Sequence, residues 1–157
     1  MKRETAAGID LASLPGHHIR RLHQIAVAIF LQETEPHGLT PVQFAALHTV
    51  CSLPGIDQRT LARTIGLDTS TIGGVIDRLE TRELLLRNSS PDDRRVRQLT
   101  LTEAGNALLE ETIPAMLRAQ ERMLEPLPKR ERAEFMRMLL TLVTANNELS
   151  RAPSEAA

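Results

Sequence analysis

One stretch of this chain, residues 84–101, abandons the spacing kept on either side of it. Before and after it, apolar residues recur every three or four positions, the period of an amphipathic α-helix. Within it, Leu84-Leu85-Leu86 and Val96-Arg97-Gln98-Leu99-Thr100-Leu101 read as short strands flanking a polar loop, 88–95, that holds Ser89, Ser90 and Pro91. The loop is longer than a tight turn. A chain patterned this way is mainly α with one small β-hairpin.

The helices can be bounded from their caps. A first helix is expected over about 15–34, with Ser13 as candidate N-cap and Pro15 in the first turn. Ile19, Leu22, Ala26, Ile29 and Phe30 share one of its faces, and Val27 and Leu31 form a second apolar strip. A helix apolar on two faces is buried between two partners. After Pro36, His37 and Gly38, Thr40 caps a second helix with Pro41 at its first position; Val42, Phe44, Leu47, His48 and Cys51 follow in helical rhythm, and Pro54-Gly55 ends it. A short third helix covers 58–65, closed by Gly66. Asp68 or Thr69 caps a fourth, reaching Arg82, whose Ile72, Val75, Ile76 and Leu79 cluster on one face. Past the hairpin, Thr102-Glu103-Ala104-Gly105 opens a long helix carrying Leu108, Leu109, Ile113, Met116 and Leu117, which Pro114 is expected to bend. A last helix spans 129–149 with Phe135, Met138, Leu139, Leu142 and Val143; the polar tail 151–157 is expected to be disordered.

With no Trp or Tyr and only three Phe in 157 residues, the core must be aliphatic. That length suits one domain, 1–157. No apolar run of about 18 residues occurs, so no membrane partner is expected. Residues 1–8 lack the apolar stretch of a secretory signal, which points to the cytoplasm. Cys51 is the single cysteine and excludes an intrachain disulfide. The formal net charge is −1, so only its distribution is informative. From Arg82 to Arg97 there are five arginines, Arg82, Arg87, Arg94, Arg95 and Arg97, against Glu83, Asp92 and Asp93.

Short helix, glycine turn, capped helix, charged hairpin: this order describes a winged helix-turn-helix, about 40–101. Its second helix enters the major groove of DNA and its hairpin reaches the adjacent minor groove. The outward face of the fourth helix carries Ser70, Thr71, Gly74 and Arg78, opposite the apolar set, with Thr69 at its start. Small hydroxyls there can donate to phosphates and base edges beside the backbone amides of the helix start. Gly73-Gly74 costs about 0.8–1 kcal/mol per glycine relative to alanine. Close approach of DNA to the backbone, or close packing of another helix, would justify that cost. At the hairpin tip, Pro91-Asp92-Asp93-Arg94-Arg95 sets two guanidinium groups beside a carboxylate that can preorganise them for a narrow minor groove.

These residues resemble the MarR family of bacterial regulators. The likeness runs over Leu61-Ala62-Arg63-Thr64-Ile65-Gly66-Leu67-Asp68-Thr69-Ser70-Thr71-Ile72, Asp77-Arg78-Leu79-Glu80 and Ser90-Pro91-Asp92-Asp93-Arg94-Arg95, and closes with Leu99-Thr100-Leu101-Thr102-Glu103-Ala104-Gly105. A wing D-x-R (Asp93, Arg95) followed shortly by L-T-x-x-G (Leu101, Thr102, Gly105) is specific in combination. The resemblance implies a homodimer joined through terminal helices at about 14–35 and 104–150. It also implies a pseudo-palindromic operator on double-stranded DNA, Arg95 at the wing tip with Asp93 as its partner, and Arg94 near a phosphate. Many such regulators are repressors released by small aromatic acids. The segment from Leu14 to Val27, with His17-His18-Ile19-Arg20-Arg21-Leu22-His23, looks like the start of members that control aromatic-acid catabolism, nicotinate-type pathways among them. One departure is Glu83, which stands where the family often has glycine before the first wing strand.

His18, Arg20 and His23 beside the apolar face of the first helix are the candidate ligand-binding residues, able to pair with a carboxylate while apolar surface takes its ring. No metal site or cofactor is expected, because His17, His18, His23, His37 and His48 have no convincing ligand spacing. Cys51 is expected to be a buried small hydrophobe. There is no phosphate loop, nucleophile elbow or H-E-x-x-H pattern, so an enzyme is not expected. The expected function is a ligand-responsive repressor. The alternatives are a winged helix that binds a protein rather than DNA, and a redox- or metal-responsive regulator.

Overall fold

The computed structural model describes residues 8–150 and 152. The tail expected to be disordered lies, apart from Ala152, outside the described residues, as do residues 1–7. The elements are α1 (Pro15–Glu33), α2 (Pro41–Ser52), α3 (Gln58–Ile65), α4 (Thr69–Thr81), β1 (Leu85–Ser89), β2 (Arg97–Leu101), α5 (Glu103–Leu124) and α6 (Lys129–Ala145). Short 3₁₀ turns occupy Leu11–Ser13, Glu35–His37 and Asn147–Leu149.

Local chemistry fixes most boundaries. Thr40 and Gln43 form a reciprocal capping box at α2: the Thr40 hydroxyl accepts from the Gln43 amide at 3.2 Å, and Gln43 Oε1 accepts from the Thr40 amide at 3.1 Å. Asp57 caps α3 and Asp68 caps α4, each accepting the amide three residues on. Gly66 ends α3 at φ +75°, a conformation cheap only for glycine.

The start of α1 differs from expectation. Leu14 is its N-cap and offers no side chain to an amide, while the Ser13 hydroxyl donates to the Asp10 carbonyl at 2.7 Å. Ser13 sits one residue too early, because Pro15 already takes the first helical position and Asp10 organises the preceding turn. α5 runs unbroken across Pro114. α6 stops at Ala145, four residues short of expectation, and gives way to the 3₁₀ turn.

β1 and β2 pair antiparallel, Leu85 opposite Leu101 and Ser89 opposite Arg97. β1 is longer and later than its sequence implied, leaving the loop 90–96. The segment before α3 extends the other edge of β2: Gly55 donates to the Leu99 carbonyl at 2.8 Å and Leu99 donates to Ile56 at 2.9 Å. The hairpin is thereby sewn to the lobe.

The core is aliphatic, as the scarcity of aromatics demands. Leu47, Leu61, Ile72, Ile76, Leu79, Leu85 and Leu99 are fully buried where α2, α3, α4 and the hairpin meet. α1 packs on α5 but buries only Phe30, and α6 buries nothing. Ile19 stays 57% exposed, Leu140 66% and Val143 63%. α1 thus packs mainly on α5, meets α2 where Phe30 lies edge-on to Phe44, and leaves most of its apolar surface uncovered among the described residues. Cys51, expected in the core, is exposed. It stands in the last turn of α2 on the same outward side as the exposed His48, while Leu47 and Val50 beside them face the core.

Candidate nucleic-acid interface

α4 presents two faces of opposite character. Ile72, Val75, Ile76 and Leu79 are buried, while Thr69, Ser70, Thr71 and Arg78 are exposed. The two glycines separate. A Cβ on Gly73 would lie in ordinary contact with Gln58 Nε2 of α3 at 3.5 Å, whereas one on Gly74 would meet nothing within 4 Å. Among the described residues no packing accounts for Gly74.

The cap of α4 is more heavily used than its sequence suggested. Asp68 accepts from the Thr71 amide at 2.8 Å, from the Thr71 hydroxyl at 2.6 Å and from the Ser70 hydroxyl. These bonds, that from the Ser70 hydroxyl foremost, hold the Asp68 carboxyl far below the usual carboxylate range. The expected donation of both hydroxyls to DNA is thus already spent inside the chain.

At the wing tip, Asp93 Oδ1 accepts from the Arg95 amide at 2.9 Å and lies 3.5 Å from Arg95 Nε. The carboxylate tightens the turn through Arg95's own backbone, and the guanidinium projects with 94% of its side-chain surface exposed. Arg94 is exposed beside it. Arg97 Nη1 donates to the Ser89 hydroxyl across the strands at 3.0 Å.

Between α3, the start of α4 and the wing lies an open groove of about 620 Å³, bordered by Arg59, Arg63, Thr69, Arg95 and Arg97, with Asp57 as its one carboxylate. Burial would raise the Asp57 pKa, but hydrogen bonds from the Thr60 hydroxyl and amide outweigh it and hold the carboxyl low. Arg59 and Arg63 are not among the residues expected at the site, since they precede the charged stretch from Arg82 to Arg97. Their four-residue spacing on α3 was the available signal, since it sets both on one side of the helix.

Two of the five arginines counted in sequence are structural instead. Arg87 Nε and Nη2 donate to Glu80 Oε2 at 3.0 and 2.7 Å, and Nη2 reaches Asp77 at 2.5 Å, pinning β1 to α4. The Glu80 bonds, against a smaller opposing effect of burial, hold the guanidinium above its ordinary pKa. Arg82 donates to the Gly38 carbonyl at 2.8 Å and the His37 carbonyl at 3.4 Å, tying the end of α4 to the loop after α1.

The candidate ligand residues do not converge. His18 Nε2 lies 2.6 Å from the Ala12 carbonyl, the Arg20 guanidinium donates along the helix to Gln24 at 3.3 Å, and His23 is exposed. An apolar groove of about 540 Å³ runs between the first half of α1 and α6; His18 and Arg21 border it beside Leu22, Ile25, Phe135 and Met138. Arg20 and His23 do not line it. Among the described residues no three histidine, cysteine or carboxylate groups are placed to share a metal ion. Among the described residues no helix is long and apolar enough to cross a membrane.

The MarR family profile matches residues 39–96, the span that holds α2, α3, α4 and the wing loop. The transcriptional repressor NicR of Pseudomonas putida is 31% identical over 137 residues, covering 87% of each chain. The fold matches the repressor CouR solved on a 23-mer DNA duplex, with a TM-score of 0.80, 33% identity and coverage of 85% of this chain and 94% of that one. CouR has also been solved from Rhodococcus jostii bound to p-coumaroyl-CoA. BpsR of Bordetella bronchiseptica, in a structure concerned with control of its DNA binding by 6-hydroxynicotinic acid, matches with a TM-score of 0.81 and 31% identity, covering 85% of this chain and 96% of that one. An arginine-lined face between a capped helix and a wing, on a scaffold shared with these regulators, is the mark of a winged-helix reader of DNA. The chain belongs to the MarR family and is a DNA-binding regulator of transcription, not an enzyme.

Proposed function

We propose that the protein is a homodimeric repressor that holds a pseudo-palindromic operator and lets it go when a small aromatic carboxylate binds. The observation that carries the DNA half is the groove between α3, the start of α4 and the wing, where Arg59, Arg63, Arg95 and Arg97 face one carboxylate. α4 lies in the major groove with Thr69, Ser70, Thr71, Gly74 and Arg78 toward the bases. The wing follows the minor groove, where Arg95 gains from the negative potential of a narrow A·T-rich stretch. Asp93 holds the turn that aims Arg95, and Arg94 sits near a phosphate.

Dimerisation through the terminal helices is supported by what one chain leaves uncovered. α6 buries no residue, and Ile19, Leu140, Leu142 and Val143 are all more than half exposed. Apolar surface on that scale marks an interface, and a second copy supplies the missing partner for the outer strip of α1. Two-fold symmetry in the protein then demands two half-sites about 34–36 Å apart.

The effector reading rests on the relatives named above and on the charged start of α1. His18, Arg20 and His23, together with Arg21, are the groups available to pair with a carboxylate there. Binding would favour a separation of the two reading heads that no longer matches successive major grooves.

Selection of bound fragments from a random duplex library tests the reading. It should return an inverted repeat with half-sites about one turn apart, and saturating hydroxylated aromatic acids, 6-hydroxynicotinic acid first, should weaken binding to it. Failure to enrich any sequence contradicts the operator. Unchanged affinity across a panel of such acids contradicts the effector alone.

A further inference from the structure

The hydrogen bonds around Asp68 limit what the outward face of α4 can read. A hydroxyl has one proton and two lone pairs. The Ser70 and Thr71 protons both go to Asp68, whose remaining bond takes the Thr71 amide. The carboxyl stays ionised at any pH at which DNA is duplex, so it never donates back. Both side chains are exposed on the outward face. They face outward as acceptors only.

Phosphate oxygens, guanine N7 and O6, thymine O4 and adenine N7 are themselves acceptors, and none can bond to such a group. The donors on the floor of the major groove are the exocyclic amines, N6 of adenine and N4 of cytosine. The geometry points to Ser70 and Thr71 as specificity-determining residues that accept from the exocyclic amines of adenine or cytosine. This rests on the assignment of α4 to the major groove. Each base pair carries one such amine, so an acceptor-only reader fixes which strand holds the amino base without separating adenine from cytosine. Two positions in each half-site, one for each hydroxyl, therefore admit A or C and exclude G and T. Asp68 acts through the other two and is a positioning residue. Its negative charge beside the first turn also discourages a phosphate there, which reinforces contact with base edges over backbone.

The test uses the full-length protein and its selected duplex. Each adenine of a half-site is replaced in turn by purine lacking the N6 amine, and each cytosine by 2-pyrimidinone lacking the N4 amine. Wild type should lose about tenfold in affinity at two positions per half-site, the scale of one base contact. Ser70→Ala should abolish that sensitivity at one of them and Thr71→Val at the other. Asp68→Asn still caps the helix but cannot accept both hydroxyl protons. It should admit G or T at one of the two positions, a change of sequence preference that a purely structural role for Asp68 does not produce. Amine deletion that costs less than about twofold everywhere in wild type, whose fold is not in question, overturns the inference while leaving α4 as the DNA reader. Selection of G or T at the hydroxyl-sensitive positions overturns it equally. If wild type binds no duplex at all, the assignment of α4 to DNA has failed, and this inference with it.

Discussion

Gly105 packs against Leu84 so closely that a Cβ at residue 105 would stand 1.9 Å from the Leu84 carbonyl oxygen. The first turn of α5 is held there by Thr102, whose hydroxyl donates to the Glu83 carbonyl at 2.7 Å and accepts from the Gly105 amide at 2.9 Å. The L-T-x-x-G pattern is thus a joint between the wing and the helix that follows it. Gly105→Ala has no room without moving backbone. It should cost about 3 kcal/mol, the upper range for overpacking, read as a lowered urea midpoint at unchanged slope.

Gly74 should behave in the opposite way. Its Cβ position is open, so Gly74→Ala should raise stability by about 0.8–1 kcal/mol, the helix-propensity difference. Yet in the proposed docking of α4 the added methyl group would face DNA, and operator affinity should drop about tenfold, the scale of a lost base contact. Urea unfolding and operator titration of the same variant check both halves; a stabilised protein with full affinity would remove Gly74 from the interface.

Glu83 is the one described non-glycine residue with positive φ, at +57°. An L-residue pays about 1–2 kcal/mol for that region, part of which glycine returns through its freer unfolded chain. Glu83→Gly should therefore gain about 0.5–1 kcal/mol. A higher melting temperature checks it; a lower one would mean that the Glu83 side chain compensates the strain.

Asp68 makes the acid side of the stability curve specific. In the unfolded chain an aspartate titrates near about 3.9, whereas in the fold its hydroxyl and amide partners keep it ionised to much lower pH. Its contribution is complete above about pH 5, and is lost as the pH falls, because the unfolded state takes up the proton first. Asp68→Asn keeps a capping oxygen but cannot titrate. Melts between neutral pH and pH 3 should show a shallower acid limb for the variant than for wild type, and parallel limbs would contradict the assignment.

Much of the lobe was legible because its determinants are local. Thr40-Pro41, Gly66 and Asp68 announce helix ends through their own backbone chemistry, and the apolar set Ile72, Val75, Ile76 and Leu79 is buried as its period implied. What failed depended on the third dimension. Cys51 keeps the rhythm of α2 but, like His48, lies on its outward side. Arg82 and Arg87 count as positive charge in sequence, yet one serves carbonyls after α1 and the other serves Glu80 and Asp77. Arg59 and Arg63 lie outside the charged hairpin in sequence and beside it in space. Hydroxyl donors on α4 were legible as side chains, but where their protons go was not, since Asp68 claims them only once the cap has formed.

The most direct test of the arginine-lined face is the salt dependence of affinity for the selected duplex, measured for wild type and for Arg59→Ala, Arg63→Ala and Arg95→Ala. In the proposed dimer each substitution removes a cation from both reading heads, so a residue that contacts phosphate should flatten the slope of log affinity against log salt by about 1.8, twice the 0.9 expected per contact. Arg95→Ala, if it reads groove shape, should in addition relax preference for A·T-rich flanks. Slopes and affinities identical to wild type in all three variants would show that DNA is held by some other face of the protein.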